Sequence, residues 1–245
     1  MASPIEQFQI HPIIPIHIGG VDLSFTNSAL WMCISVAVAS VFLAFGARRR
    51  ALVPGRWQVM TEMAYEFIAN MLRDNVGDAG RRYFPYIFTL FMFILFGNLL
   101  GLVPGAFTYT SHIIVTLALA LTVFVAVTMV GIVKHGLHFF TFFVPSGVPA
   151  LMMPLMIPIE VISYLSRPVS LSIRLFANMM AGHTMMKVFA GFVVPLGAAT
   201  FGIGGLAPIA MDVALTGFEL LVAFLQAYVF TVLTCLYLND ALHLH

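Results

Sequence analysis

The chain has 245 residues, of which 61% are hydrophobic and 9% charged, with a net charge of +1 and a mean hydropathy of +1.01. A soluble domain carries about 25% charged residues, so a water-soluble globule is excluded; its surface would be a continuous apolar patch. The charge balance leaves no basic surface for nucleic acid, and the natural solvent of this composition is a lipid bilayer.

In chain order, the first 27 residues contain no Lys or Arg. The basic start of a cleavable signal is therefore missing, and the first span must itself direct insertion. A span needs about 20 mostly apolar residues. Residues 28–47 are uncharged and predict the first. Residues 56–73 carry a different pattern. Trp57, Met60, Met63, Ala64, Phe67, Ile68, Met71 and Leu72 recur at helical spacing, while Gln58, Glu62, Glu66, Asn70 and Arg73 fall on the other face. That pattern predicts an amphipathic helix lying in the membrane surface, or one packed on a partner subunit.

Residues 83–103 predict a second span, stopped by Pro104-Gly105, and residues 113–133 a third, closed by Lys134. Two longer apolar regions follow, 149–188 and 208–239. Between them 189–207 is rich in Gly, contains Pro195 and reads as a connection. The expected fold class is an all-α integral membrane protein, a single domain over 1–245. It has about five membrane-embedded helices, the last two forming a steeply tilted hairpin, plus one amphipathic surface helix. A helix filling the fourth region would extend about 60 Å, against a hydrocarbon core of about 30 Å. It must tilt or break, and Pro168 is where it would kink. The two cysteines, Cys33 and Cys235, lie in apolar runs and read as small core residues. His135 and His138 are three apart, and two ligands are too few for a metal site. No metal or cofactor is implied.

Orientation follows from basic residues near span ends. Arg48, Arg49, Arg50, Arg56, Arg73, Arg81 and Arg82 lie between spans one and two, and Lys134 follows span three. The N-terminal segment and the 104–112 turn have none. This predicts an N-terminus outside and a C-terminus in the cytoplasm.

The remaining basic residues fall inside the fourth region. Arg167, Arg174 and Lys187 lie there with Glu160 and His183, and the fifth region holds Asp212 and Glu219. Lys187 and Asp212 are near region ends, where charged side chains reach the interface. A central Arg costs about 2.5–3.5 kcal/mol on insertion scales, so such residues are by default pathway or coupling residues. A purely structural ion pair is the alternative. Glu160, Arg167 and Arg174 are seven apart and lie within about 40° of one line on a helix. Asn178 extends that stripe. His183, nine after Arg174, falls on the opposite face about 13 Å along. Ser163, Ser166, Ser170, Ala177 and Ala181 flank the stripe, and small residues admit a close neighbouring helix. Glu219 and Gln226 are also seven apart. With the predicted topology, His183 and Glu219 share the outer half and Glu160 lies in the inner half. Arg174 stands between them.

These residues sit in a run, SRPVSLSIRLFANMMAGH at 166–183, that closely resembles the signature of subunit a of the rotary F-type ATP synthase. FELLVAFLQAYVFTVLTCLYL at 218–238 resembles that family's last helix, and FGNLLGLVPG at 96–105 its second span. The resemblance covers about 28–240. It implies a non-catalytic, proton-translocating stator subunit in a bacterial inner membrane, beside a ring of c subunits that each carry one buried carboxyl. It also implies peripheral-stalk b (or b/b′) subunits and the rest of the synthase as partners.

By that resemblance Arg174 matches the essential arginine, and Asn178 and Gln226 match polar residues lining the interface near it. Glu219 and His183 match the pair in the half-channel open to the outside, and Glu160 and Ser170 match positions linked to the inner half-channel. Many bacterial members place an acid at the position of His183 and a histidine at that of Glu219. Here the two are exchanged, as in mitochondrial and some alphaproteobacterial members. The alternative function, a self-contained secondary ion transporter, predicts repeated halves with matching broken helices. The chain has neither.

Overall fold

The computed structural model describes residues 8–15, 17–18, 21–22, 24–48, 54–103, 105–136, 138–139, 152–200 and 202–243. Arg49, Arg50, Pro104 and the 149–151 start of the fourth apolar region lie outside them. Two short antiparallel pairs precede the helices: β1 (Pro12–Ile14) with β4 (Phe25–Thr26), and β2 (His17–Ile18) with β3 (Val21–Asp22). Asn27 ties this segment to the first helix, accepting from His11 N at 3.2 Å and donating to Gln9 O at 3.1 Å.

Among the described residues six α-helices follow: α1 (Asn27–Ala47), α2 (Arg56–Val76), α3 (Phe84–Gly101), α4 (Ile113–His135), α5 (Met153–Ala199) and α6 (Leu206–Leu242). Among the described residues, five helical stretches, containing α1, α3, α4, α5 and α6, are long and apolar enough to cross a membrane. The protein is an all-α membrane protein. The Thr26 hydroxyl caps α1 by accepting from Ala29 N at 3.4 Å. Gly77, at φ 74°, ends α2 in a positive-φ conformation that glycine adopts without steric cost.

Amphipathic α2 divides its apolar face between two environments. Ile68, Met71, Leu72 and Val76 are buried, whereas Trp57, Met60 and Met63 are exposed. The C-terminal half thus packs on the chain's own bundle. There the Phe67 ring meets Phe91, Phe224 and Tyr228 with centroids 5.7–5.9 Å apart.

At the centre, α6 packs against α2, α3, α4 and α5. Ala223 and Ala227, one turn apart, have no exposed surface. Without methyl branches at those positions, neighbouring backbones approach closely, and van der Waals packing takes the place of the hydrophobic drive that lipid does not supply. The core joins Ile87, Phe91 and Ile94 of α3 to Val123 of α4, Leu175 and Met179 of α5, and Phe230 of α6.

One expectation is corrected. Residues 189–207 were predicted to connect the last two helices, but α5 continues to Ala199 and the connection shrinks to 200–205. Glycine costs a helix about 1 kcal/mol per residue. Unpaired backbone in hydrocarbon costs several kcal/mol per group, so Gly191 and Gly197 do not end it. The turn forms only where polar groups replace the helical bonds. Gly202, at φ 95°, donates to Gly197 O at 2.8 Å, and the Thr200 hydroxyl accepts from Gly204 N at 2.6 Å. The interior prolines, Pro158, Pro168 and Pro195, leave α5 a single helix. At 47 residues it measures about 70 Å, and the 37 residues of α6 about 55 Å. Both exceed the hydrocarbon thickness of about 30 Å and so require tilt or protrusion.

Candidate functional site

Two polar groupings lie about 24 Å apart along α5, with Arg174 between them. Beside the Thr108–His112 segment, α5 contributes His183 and α6 contributes Glu219. His183 Nε2 lies 3.7 Å from Glu219 Oε1, with the residues 8% and 3% exposed. Neither Glu219 oxygen has a hydrogen-bond partner among the described residues. The carboxyl occupies the space a side chain at Gly182 would fill; a Cβ there would lie 2.5 Å from Oε1 and 2.8 Å from Oε2.

The turn closes over this pair. The buried Thr108 hydroxyl lies 3.0 Å from His183 Nε2, and Ser111 Oγ donates to the Thr108 carbonyl at 2.6 Å. Asn98 of α3 donates to Ala223 O of α6 at 3.3 Å. Its Oδ1 and the hydroxyl of Thr110 are buried without partners among the described residues. These are buried polar groups inside an apolar bundle. On the same turn the His112 ring stacks on Phe107 with centroids 5.1 Å apart, and burial lowers its pKa below the ordinary histidine value.

At the other end Arg167 of α5 meets Asp240 of α6, Nη1 to Oδ2, at 2.9 Å. Its guanidinium lies over the rings of Tyr164 and Tyr237, 5.3 and 4.9 Å from their centroids. Lys134 of α4 donates to Leu242 O at 2.9 Å, anchoring the same end of α6.

Arg174 lies two turns from Arg167, about 10 Å along α5, and about 13 Å from His183 on the opposite face. His183 is accordingly buried and Arg174 exposed. Arg174 makes no hydrogen bond or ion pair among the described residues. The small residues around it, Ser163, Ser166, Ser170, Ala177 and Ala181, are exposed as well. Asn178, Gln226 and Glu160 are half-buried. The structure therefore brings His183 and Glu219 together. Of the Glu160–Arg167–Arg174 stripe, Arg167 joins Asp240 of α6.

Thr108, Thr110, Asn98, Gly182 and Asp240 were not singled out from the sequence. Asp240 carried a signal, being an acid just past the last predicted span. A threonine in a turn or an asparagine in an apolar run carries none until the fold sets it beside a histidine.

The fold and its polar centre define a polytopic helical membrane protein with a buried acid–base pair on one face of α5 and an exposed arginine on the other. Residues 29–239 match the family described as ATP synthase A chain. The chain belongs to that family. It is 57% identical over 248 residues to the ATP synthase subunit a of Paramagnetospirillum magneticum, covering 100% of both chains. It is 56% identical over 245 residues to that of Rhodospirillum rubrum, again covering 100% of both. Its identity to the subunit a of Mesorhizobium japonicum is 62% over 243 residues, covering 98% of this chain and 96% of that one.

Proposed function

We propose that the chain is the stator proton channel of an F-type ATP synthase, passing protons to and from the carboxyls of a rotating c-subunit ring through two offset half-paths. The observation that supports this most is the division of polar groups across α5. A buried, titratable His183–Glu219 pair sits on one face, and Arg174 stands exposed on the opposite one among small residues.

A proton entering from the outer side reaches the His183–Glu219 region. It passes to a ring carboxylate, which becomes neutral and can enter lipid; a charged carboxylate cannot do so cheaply. After nearly a full turn that carboxyl meets the inner half-path near Glu160 and Ser170. Arg174 favours its ionised form and so promotes release. Arginine suits this position because it stays charged at any physiological pH. It also repels a proton moving straight across, so the two half-paths do not join. Asn178 and Gln226 line the surface beside it. Each proton gains about 2.3 kcal/mol per 100 mV. The rotor carries that energy to catalytic subunits elsewhere, and this chain makes and breaks no covalent bond of the nucleotide.

The reading places the chain in a bacterial inner membrane with its N-terminus outside. The exposed α5 face meets the c-ring, and b-type peripheral-stalk subunits hold the stator. The test is Arg174→Ala in membranes shown to contain the assembled complex. Coupled ATP synthesis should fall to background. Synthesis at the wild-type rate would overturn the role of Arg174.

A further inference from the structure

The Thr108 hydroxyl faces two partners at once, the Gly101 carbonyl at 3.1 Å and His183 Nε2 at 3.0 Å. A hydroxyl has one proton to donate and lone pairs with which to accept. Gly101 ends α3, where carbonyls lack an intrahelical donor. Its oxygen accepts no backbone N–H across the turn among the described residues. The residue is buried, and a buried carbonyl left unpaired carries its full desolvation penalty. The hydroxyl proton therefore goes to Gly101, and toward His183 the same oxygen can only accept. Accepting from Nε2 requires a hydrogen there.

Glu219 lies beyond hydrogen-bond distance on the other side: its Oε1 is 3.7 Å from Nε2 and has no hydrogen-bond partner among the described residues. The hydrogen on Nε2 is thus held by Thr108. We infer that Thr108 is a positioning residue that fixes resting, neutral His183 in the tautomer protonated on Nε2, with Nδ1 as the basic nitrogen. The bond partner of one ring nitrogen decides the state of the other. Thr108 is itself held firmly. Ser111 Oγ bonds its carbonyl at 2.6 Å. The absent side chain of Gly101 gives it room, since a Cβ there would lie 2.7 Å from Thr108 Cγ2 and 2.8 Å from Oγ1.

The tautomer assignment stands on this geometry alone; its consequence for transport rests on the proton-path reading above. The test is solid-state NMR of the assembled complex in bilayers with ¹⁵N-labelled histidine, at a pH where the ring is neutral. The His183 signals are identified by their loss in His183→Gln. The wild type should show a protonated Nε2 and a bare Nδ1. Thr108→Val, which keeps the shape and loses the hydroxyl, should convert this to a mixture of tautomers. Thr108→Ser should restore the wild-type pattern. ATP-driven proton pumping should fall about tenfold in Thr108→Val and recover in Thr108→Ser, a partial loss against the roughly 10²–10⁴-fold that a positioned proton-transfer group contributes. A wild-type ring protonated on Nδ1 overturns the inference, and this needs no variant to fold. A Thr108→Val ring unchanged from wild type overturns it as well. If the tautomer responds to Thr108→Val while pumping does not, the assignment of Thr108 stands and the proton path through His183 fails.

Discussion

Gly182 is the position where a single methyl group should report on the buried pair. Placed there, a Cβ lies 2.5 Å from Glu219 Oε1, 2.6 Å from its Cδ and 2.8 Å from Oε2. Non-bonded heavy atoms settle at about 3.5 Å or more, so in Gly182→Ala the carboxyl must retreat by about 1 Å. His183 and Glu219 are already 3.7 Å apart, and a displacement of that size at a reacting group costs up to about a hundredfold in rate.

Helix propensity confounds the result, because Gly→Ala favours a helix by about 1 kcal/mol. Gly191→Ala on the same helix removes the confusion, since nothing lies within 4 Å of a Cβ there. Both variants gain the same propensity, and only one meets the carboxyl. The assay is ATP-driven proton pumping in inverted membrane vesicles, normalised to the amount of assembled complex. Gly182→Ala should lose about ten- to a hundredfold, and Gly191→Ala should match wild type. Equal rates for the two variants would refute the placement of Glu219 against Gly182 and the need for its close approach to His183.

Exchanging the pair, His183→Glu with Glu219→His, should retain more pumping than either single change; a double variant no better than the singles would show that the two do not act as partners. The Arg167–Asp240 pair, with side chains 20% and 39% exposed, should contribute modestly because solvent screens it. Asp240→Asn should lower the stability of the detergent-solubilised complex by no more than about 1 kcal/mol, and the reversed pair Arg167→Asp with Asp240→Arg should recover part of that in a thermal unfolding assay. A loss of several kcal/mol would mean that the pair is more deeply desolvated than its exposure indicates.

The spans were legible because lipid imposes a simple rule. About twenty apolar residues must form a helix that satisfies its own backbone, so α1, α3 and α4 could be read from composition with ends displaced by only a few residues. The same rule explains the miss at 189–207. Gly191, Pro195 and Gly197 are turn signals in water, but in hydrocarbon they were weaker than the need to keep amides bonded. The opposed faces of Arg174 and His183 followed from a nine-residue spacing on a helix.

The Thr108 contact did not follow from spacing, because it joins residues 75 apart in sequence through a turn whose path no periodicity encodes. Arg167 was visible as a costly charge. Its partner Asp240 was hidden because pairing across α5 and α6 depends on how far one helix slides along the other. Helical period determines faces but not the relative register of two helices.

The exposure of Arg174 also bears on the life of a newly made chain. Glu160, Arg167, Asn178, His183, Asp212 and Glu219 are enclosed by the chain's own helices or half-buried, whereas this cation faces outward, as does Lys187 nearer the α5–α6 turn. Until another protein covers that surface, the guanidinium must lie against lipid or draw water and headgroups toward it, a cost of about 2.5–3.5 kcal/mol on insertion scales. An orphan copy therefore carries a mark that distinguishes it from an assembled one. The residue proposed to divide the proton path would thereby also set unpaired subunits apart.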